Sequence, residues 1–186
     1  TSRNMPEFEH HSVLLSQTID WLCPEDQSGP QYFVDCTLGG SGHTTAILEC
    51  STDNHVLGID QDPLAIATAQ ERLQRFGDRI QIQHGTFADV LSTLTPESQD
   101  GVLMDLGVSS PQLDHAERGF SFQKEGPVDM RMNSNAPLTA AEWLNQIDET
   151  DLANVIYRYG DEKRSRRIAR AIVAGRPWTS TLALAE

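Results

Sequence analysis

The alternation of apolar and polar positions changes character partway along the chain. Val13, Leu14, Ile19 and Leu22 mark the apolar face of a short helix that Ser12 is expected to N-cap and Pro24 to stop. Tyr32-Phe33-Val34 reads as a strand running into Asp35, followed by the glycine-rich turn Leu38-Gly39-Gly40-Ser41-Gly42-His43 and a helix over Thr44 to Cys50. His55 to Ile59 is a second strand, ending at Asp60. Pro63 opens a helix whose buried face is Ile66, Ala69, Leu73 and Phe76. Ile80 and Ile82 alternate with polar residues in a third strand, Phe87 to Leu94 reads as a helix, and Gly101 to Met104 as the fourth strand. Strands that alternate with helices predict βαβ units and a parallel sheet.

From Asp105 to Met132 neither period persists. A connection of that length is usually functional or disordered, and Leu113, Phe120, Phe122 and Val128 argue for a shaped loop. Beyond it, Thr139 to Ile147, Asp151 to Tyr159 and Glu162 to Ala174 read as helices, with another beginning at Thr181. The expected fold class is α/β, a parallel-sheet domain over residues 1–112 followed by a linking loop and helical segment over 113–186.

Charge narrows the function classes. A net charge of -13 argues against a general nucleic-acid binder, because phosphate contacts need Lys and Arg. Yet half of the 14 basic residues fall between Arg158 and Arg176, opposed there by Asp161 and Glu162. That stretch is either a solvated helix face or a local phosphate-contacting patch. Cys23, Cys36 and Cys50 form no CxxC pair and are expected to be reduced, buried thiols of a cytoplasmic protein. No run of 18 apolar residues suggests a membrane span, and no secretory signal stands at residues 1–9, which read as a polar leader. His10-His11 lacks companions at zinc spacing, so no metal site is expected.

In open parallel sheets, ligands bind beyond the carboxyl ends of the strands. Asp35, Asp60 and Asp105 stand at three such ends, and the glycines after Asp35 let a ligand approach the backbone. Asp60 lies about twenty residues past the glycines, where a carboxylate can accept both hydroxyls of a ribose. Either a nicotinamide dinucleotide or S-adenosylmethionine would fit. Gly40-Ser41-Gly42 is followed by Thr45 where a dinucleotide fingerprint needs a third small residue, and Asp35 would repel a pyrophosphate but suit an ammonium. Both points favour S-adenosylmethionine. Phe87 stands where it could stack on an adenine or serve as core, and His43 could bond the cofactor carboxylate or cap the following helix.

These residues carry a recognisable pattern: His11-Ser12-Val13-Leu14-Leu15, Asp35-x-Thr37-Leu38-Gly39-x-x-Gly42-His43-Thr44, Gly58-Ile59-Asp60-x-Asp62-Pro63 and Asp105 to Asp114, reading DLGVSSPQLD. Arg118 to Phe122, Gly126 to Met132 and Tyr159-Gly160-Asp161-Glu162 follow in order. From His11 onward the chain resembles the bacterial small-subunit ribosomal RNA N4-cytosine methyltransferases. The resemblance implies an S-adenosylmethionine-dependent Rossmann-like domain with an all-helical insertion after the fourth strand. It implies as substrate a cytidine of 16S ribosomal RNA in the decoding region, within a small-subunit particle. Cofactor contacts carried over by it fall on Ser41, Gly42, His43, Asp60, Phe87, Asp105 and Gln112, beside Asp35 and Gly40 from the turn itself. Family members continue beyond the counterpart of Glu186, so this chain is expected to hold four strands and an open sheet edge.

The amino group of cytosine is a poor nucleophile, and acceptors for its N–H bonds would help it. Asp105, Ser109 and Ser110 are candidates. Ser109-Ser110-Pro111-Gln112 only partly matches the Asp/Asn/Ser-Pro-Pro-aromatic turn of many amino-methyltransferases. The target base must be unstacked, with Phe120, Phe122 and Trp143 as candidate surfaces and core positions as their alternative. Arg118, Arg131 and the group Arg164, Arg166, Arg167 and Arg170 are candidates for RNA phosphates, although Arg131 could equally pair with Asp129. Competing classes are a nicotinamide-dependent oxidoreductase and a non-catalytic binding module.

Overall fold

The structure, a computed structural model, describes residues 12–24 and 28–186. The leader at residues 1–9, the pair His10-His11 and the loop residues Glu25-Asp26-Gln27 lie outside these. The chain divides into two compact units, Thr1–Gly107 and Val108–Glu186.

The first unit is built on four parallel strands, β1 (Gln31–Asp35), β2 (Asn54–Asp60), β3 (Ile80–His84) and β4 (Gly101–Leu103), in the order β3-β2-β1-β4. This is the first part of the Rossmann-like strand order. Central position explains the composition of β1. Phe33 and Val34 point to opposite faces, and both are buried. Phe33 packs with Leu38, Ile47, Leu48, Val56, Ala69 and Leu73 on one face, and Val34 with Cys36, Ile59 and Val90 on the other. Burying a side chain such as Leu73 contributes about 1.5–3 kcal/mol. At the open edge, Val102 and Met104 are exposed.

The crossovers are α2 (Gly42–Cys50), α3 (Pro63–Leu73) and α4 (Phe87–Leu91). Each of the latter two begins on a cap: Asp62 accepts the Leu64 N–H at 3.0 Å, and Thr86 accepts that of Asp89 at 3.2 Å. α4 stops at Leu91, short of the expected Leu94, where Ser92 turns its hydroxyl onto the Asp89 carbonyl. α1 (Leu15–Leu22) starts three residues after Ser12, with Leu14 at its N-cap in the left-handed region at φ 52°. Ser12 does not cap it, because its side chain lies over α2: a methyl group on Gly42 would stand 2.0 Å from the Ser12 Oγ. Cys23 and Cys36 are buried, but Cys50 is exposed. Burial and the neighbouring Cys50 push the Cys23 thiol up to about 12.

The second unit is helical. It holds α5 (Ser110–Asp114), a 3₁₀ turn (Ala116–Arg118), α6 (Ala140–Gln146), α7 (Glu149–Gly160), α8 (Ser165–Ala174) and α9 (Thr181–Ala185). Its core is Val128, Leu144, Leu152, Ala153 and Ala169, with Trp143, Ile147, Ile156 and Ile172 against it. A capping box starts α6, the Glu142 carboxylate accepting the Thr139 N–H at 2.8 Å, and Asp148 caps α7 through the Thr150 N–H at 2.7 Å. The loop from Gly119 to Thr139 is pinned inside the unit: Ala140 and Ala141 donate to the carbonyls of Asp129 and Val128, both at 2.7 Å. Thr181 of α9 exchanges backbone and hydroxyl hydrogen bonds with Gly126 and Lys124. The division between units falls after Gly107 rather than after Gln112, so α5 belongs to the helical unit.

Candidate cofactor site at the strand ends

Parallel pairing aligns the carboxyl ends of β1, β2 and β4, with Asp35 opposite Gly58 on one side and Leu103 on the other. Asp35 closes β1, Asp60 closes β2, and Asp105 lies two residues past β4. The sheet order reverses between β1 and β4, the place where open α/β sheets hold ligands. Asp35, Gly40, Ser41, Gly42, His43, Asp60, Phe87 and Asp105 all belong to this end of the first unit.

The buried side chains of Asp35 and His43 are hydrogen-bonded within the unit. Asp35 is 1 % exposed; its Oδ1 accepts the Thr37 N–H at 3.1 Å and its Oδ2 the Thr44 hydroxyl at 2.7 Å. Its carboxylate thus ties the start of the turn to α2. Burial pushes its carboxyl up, against the lowering effect of the Thr44 and Thr37 hydrogen bonds. The outward-facing acid is Asp105, exposed and with no hydrogen bond to its carboxylate among the described residues. Its own N–H donates to Thr37 Oγ1 at 2.7 Å. Thr37 therefore ties two strand ends together. Its place between an Asp and a glycine turn was the available signal, and sequence reasoning gave it no role. His43, buried as the second residue of α2, donates from Nε2 to the Val13 carbonyl at 3.0 Å.

Asp60 holds the turn from the other strand. Its Oδ2 accepts the Gly39 N–H at 2.8 Å and its Oδ1 the Asp62 N–H at 2.9 Å. A carboxylate offers roughly four lone-pair sites, so Asp60, half-buried, keeps acceptor capacity for vicinal hydroxyls. Arg72 donates to the Gly40 carbonyl at 2.9 Å and completes the turn. Ser41 sits at φ 67° with its Oγ buried and unpaired among the described residues. An unmet buried hydroxyl costs about 1–3 kcal/mol, which a group bound over the turn would offset. Phe87, at the start of α4, is half-buried against the Val34, Cys36, Ile59 and Val90 cluster, so it is partly core.

The remaining candidates belong to the helical unit. Gln112 is buried, and its Oε1 accepts the Ser109 N–H at 3.0 Å in a capping box at the start of α5. Ser110 is the first residue of that helix. Arg118, half-buried, donates to the carbonyls of Arg131 (3.1 Å) and Met132 (3.0 Å) and so holds the loop. Arg131 grips Asp129 through Nε at 2.8 Å and its NH2 at 2.7 Å, and this guanidinium holds the Asp129 carboxyl below its usual range. Phe120 is half-buried, and Trp143 packs on the core with Ile172 bonded to a second indole, that of Trp178. Arg164, the N-cap of α8, and Arg167, in its first turn, are exposed. Among the described residues, no group of three or more His, Cys, Asp or Glu could hold a metal ion. None of the helices described is long and apolar enough to cross a membrane.

A parallel sheet with a glycine turn after β1 and an acid closing β2 defines an α/β protein of the Rossmann-like class. The MraW methylase family matches residues 7–186, and the chain belongs to that family. It is 51 % identical over 181 residues to ribosomal RNA small subunit methyltransferase H of Synechococcus elongatus, a match spanning 96 % of this chain and 59 % of that protein. To the protein of the same name from Acinetobacter baylyi it is 48 % identical over 183 residues, again 96 % of this chain and 59 % of the relative. The chain thus spans 59 % of the length of these relatives. Among solved structures it is similar to an rRNA methylase from Streptococcus thermophilus, with a TM-score of 0.42 and 18 % identity over 72 % of this chain and 79 % of that one.

Proposed function

We propose that this chain is the cofactor-binding part of an S-adenosylmethionine-dependent methyltransferase acting in the cytoplasm. The target we propose is the exocyclic N4 of a cytidine in the decoding region of 16S ribosomal RNA, within a small-subunit particle. One observation carries the cofactor half: the Asp60 carboxylate binds the Gly39 N–H at the turn and retains acceptor sites, beside the unpaired buried hydroxyl of Ser41. Membership of the methylase family and the names of its relatives support the substrate half.

S-adenosylmethionine, when bound, supplies an electrophilic methyl group on a sulfonium. Asp60 would hold its ribose hydroxyls, the turn from Gly40 to Gly42 its amino-acid end, and Phe87 one side of its base. Asp105 is the acid suited to a cationic group or to the amine N–H, since Asp35 is committed to Thr37 and Thr44. Asp105, exposed at the end of the sheet, would likewise repel a pyrophosphate. Ser109, Ser110 and Gln112 are assigned to positioning of the α5 segment.

Calorimetric titration with S-adenosylmethionine and with NAD tests the cofactor; saturable binding of NAD alone would sink the reading. Small subunits lacking the modification, incubated with this chain and methyl-labelled cofactor, test the substrate. Digestion should return the label as N4-methylcytidine. Label in another nucleoside overturns the target, and cofactor binding without transfer removes catalysis from this chain while leaving its cofactor role.

A further inference from the structure

The helical unit contains an open groove of about 590 Å³ between α7 and the start of α8, away from the residues that hold its loop. Asn154 and Tyr157 line it from α7, and Lys163, Arg164, Arg166 and Arg167 from the other wall. Residues 158–176 carry seven Lys and Arg against two acids, +5, on a chain of net -13. The acids do not neutralise the groove. Glu162 takes Arg164 at 3.6 Å and Glu149 takes Arg170 at 3.7 Å. Lys163, Arg166 and Arg167 have no carboxylate within ion-pair distance among the described residues.

This placement is electrostatically costly. The positive end of a helix dipole favours anions, and cations there repel it and one another. α7 follows the favourable rule, with Asp148 as cap and Glu149 and Asp151 in its first turn. α8 inverts it in its first turn: Arg164 occupies the N-cap, Arg166 and Arg167 follow and no acid stands among them, although the Glu162 carboxylate ahead of the helix accepts the Arg164 N–H at 2.7 Å. Packing alone gives no reason for the inversion, since Ser165 and Ala169 make the buried face and the arginines are exposed. A polyanion in the groove would relieve it. The groove also offers a π face, the ring of Tyr157, 59 % exposed. Phosphates with an aromatic platform between them match single-stranded nucleic acid, whereas an acidic peptide would leave the ring unused.

We propose that this groove docks a single-stranded RNA segment, its phosphates on Lys163, Arg166 and Arg167 and a base against Tyr157. The identity of the polymer rests on the substrate reading above. The test is fluorescence anisotropy of a labelled single-stranded RNA of about twelve nucleotides, titrated with this chain in about 50–200 mM NaCl. The Lys163→Gln/Arg166→Gln/Arg167→Gln variant should bind about tenfold or more weakly, and its log–log salt slope should shrink by about 0.7 per cation lost. Arg166→Glu/Arg167→Glu restores acids to the start of α8, so it should raise the thermal midpoint while abolishing RNA binding; loss of binding through misfolding would lower both. Tyr157→Leu should weaken binding about tenfold with the slope unchanged, and Tyr157→Phe should not. Unchanged affinity in the triple variant, no RNA binding by the parent chain, or equal displacement by polyglutamate of matched charge would overturn the proposal. Calorimetry with S-adenosylmethionine on the same proteins keeps the readings apart: cofactor binding should be unaltered in every variant, and its absence throughout would remove the methyltransferase reading without touching the groove.

Discussion

Gly119 shows how tightly single positions shape the helical unit. It sits at φ 73°, and an added Cβ would meet the Pro127 carbonyl at 2.4 Å and the Asp129 nitrogen at 2.5 Å. Both obstacles are backbone, so they cannot swing aside. Gly119→Ala is expected to cost about 2–4 kcal/mol, combining left-handed strain with overpacking, and urea unfolding would measure it. Two residues further along the same contact, Asp129 titrates with a definite sign. Its folded carboxyl lies below the ordinary value of 3.8, chiefly through the Arg131 hydrogen bonds. Its contribution is therefore present above that ordinary value and is lost as pH falls through the depressed one. Asp129→Asn should lower the thermal midpoint by a few degrees at neutral pH, and the gap from the parent should close only in strong acid. A gap that closed already near pH 6 would contradict a lowered Asp129 carboxyl, and no gap at neutral pH would mean that the pairing contributes nothing. Asp35 runs the opposite way: its raised carboxyl keeps its proton longer in the folded chain, so its contribution falls as pH rises from the ordinary value through the folded one.

Among elements, those legible in the sequence had their cause in nearby residues. Tyr32-Phe33-Val34 and His55 to Ile59 are apolar because both faces of those strands are covered, and the helix from Pro63 buries Ala69 and Leu73 at helical spacing. The glycine turn and the acids at the ends of β1 and β2 were readable for the same reason. What misled were residues whose partners are distant or compete. Ser12 is a good cap residue, but packing over Gly42 claims its side chain. Asp35 was legible as a strand-end acid, but its partner Thr44, in α2, which takes its second oxygen, was not. The capping-box spacing Ser109-x-x-Gln112 was given no weight, and the structure realises it at the start of α5. The start of α7 was placed at Asp151 because the apolar period begins there, while the true cap is Asp148. Asp148→Ala is expected to cost about 1 kcal/mol in urea unfolding, through the orphaned Thr150 N–H and the lost charge at the positive helix end. No loss would show that water caps α7 as well as Asp148 does.

For the whole molecule, charge sets two opposing responses to salt. The chain carries -13, while residues 158–176 contribute +5, leaving -18 on the rest. Self-repulsion among that excess of carboxylates opposes the compact state. Screening shortens its reach, from about 30 Å at 0.01 M ionic strength to about 8 Å at 0.15 M. Raising NaCl across that range is therefore expected to raise the thermal midpoint. The five surplus cations respond in the other direction, because salt competes with phosphates for them and weakens any RNA held there. One variable should thus move stability up and RNA affinity down, followed by differential scanning fluorimetry and anisotropy on the same samples. If both fell together, loss of RNA binding would follow loss of fold. If the midpoint stayed flat while affinity dropped, the acidic surface would already be locally balanced, and the basic groove alone would account for the salt response.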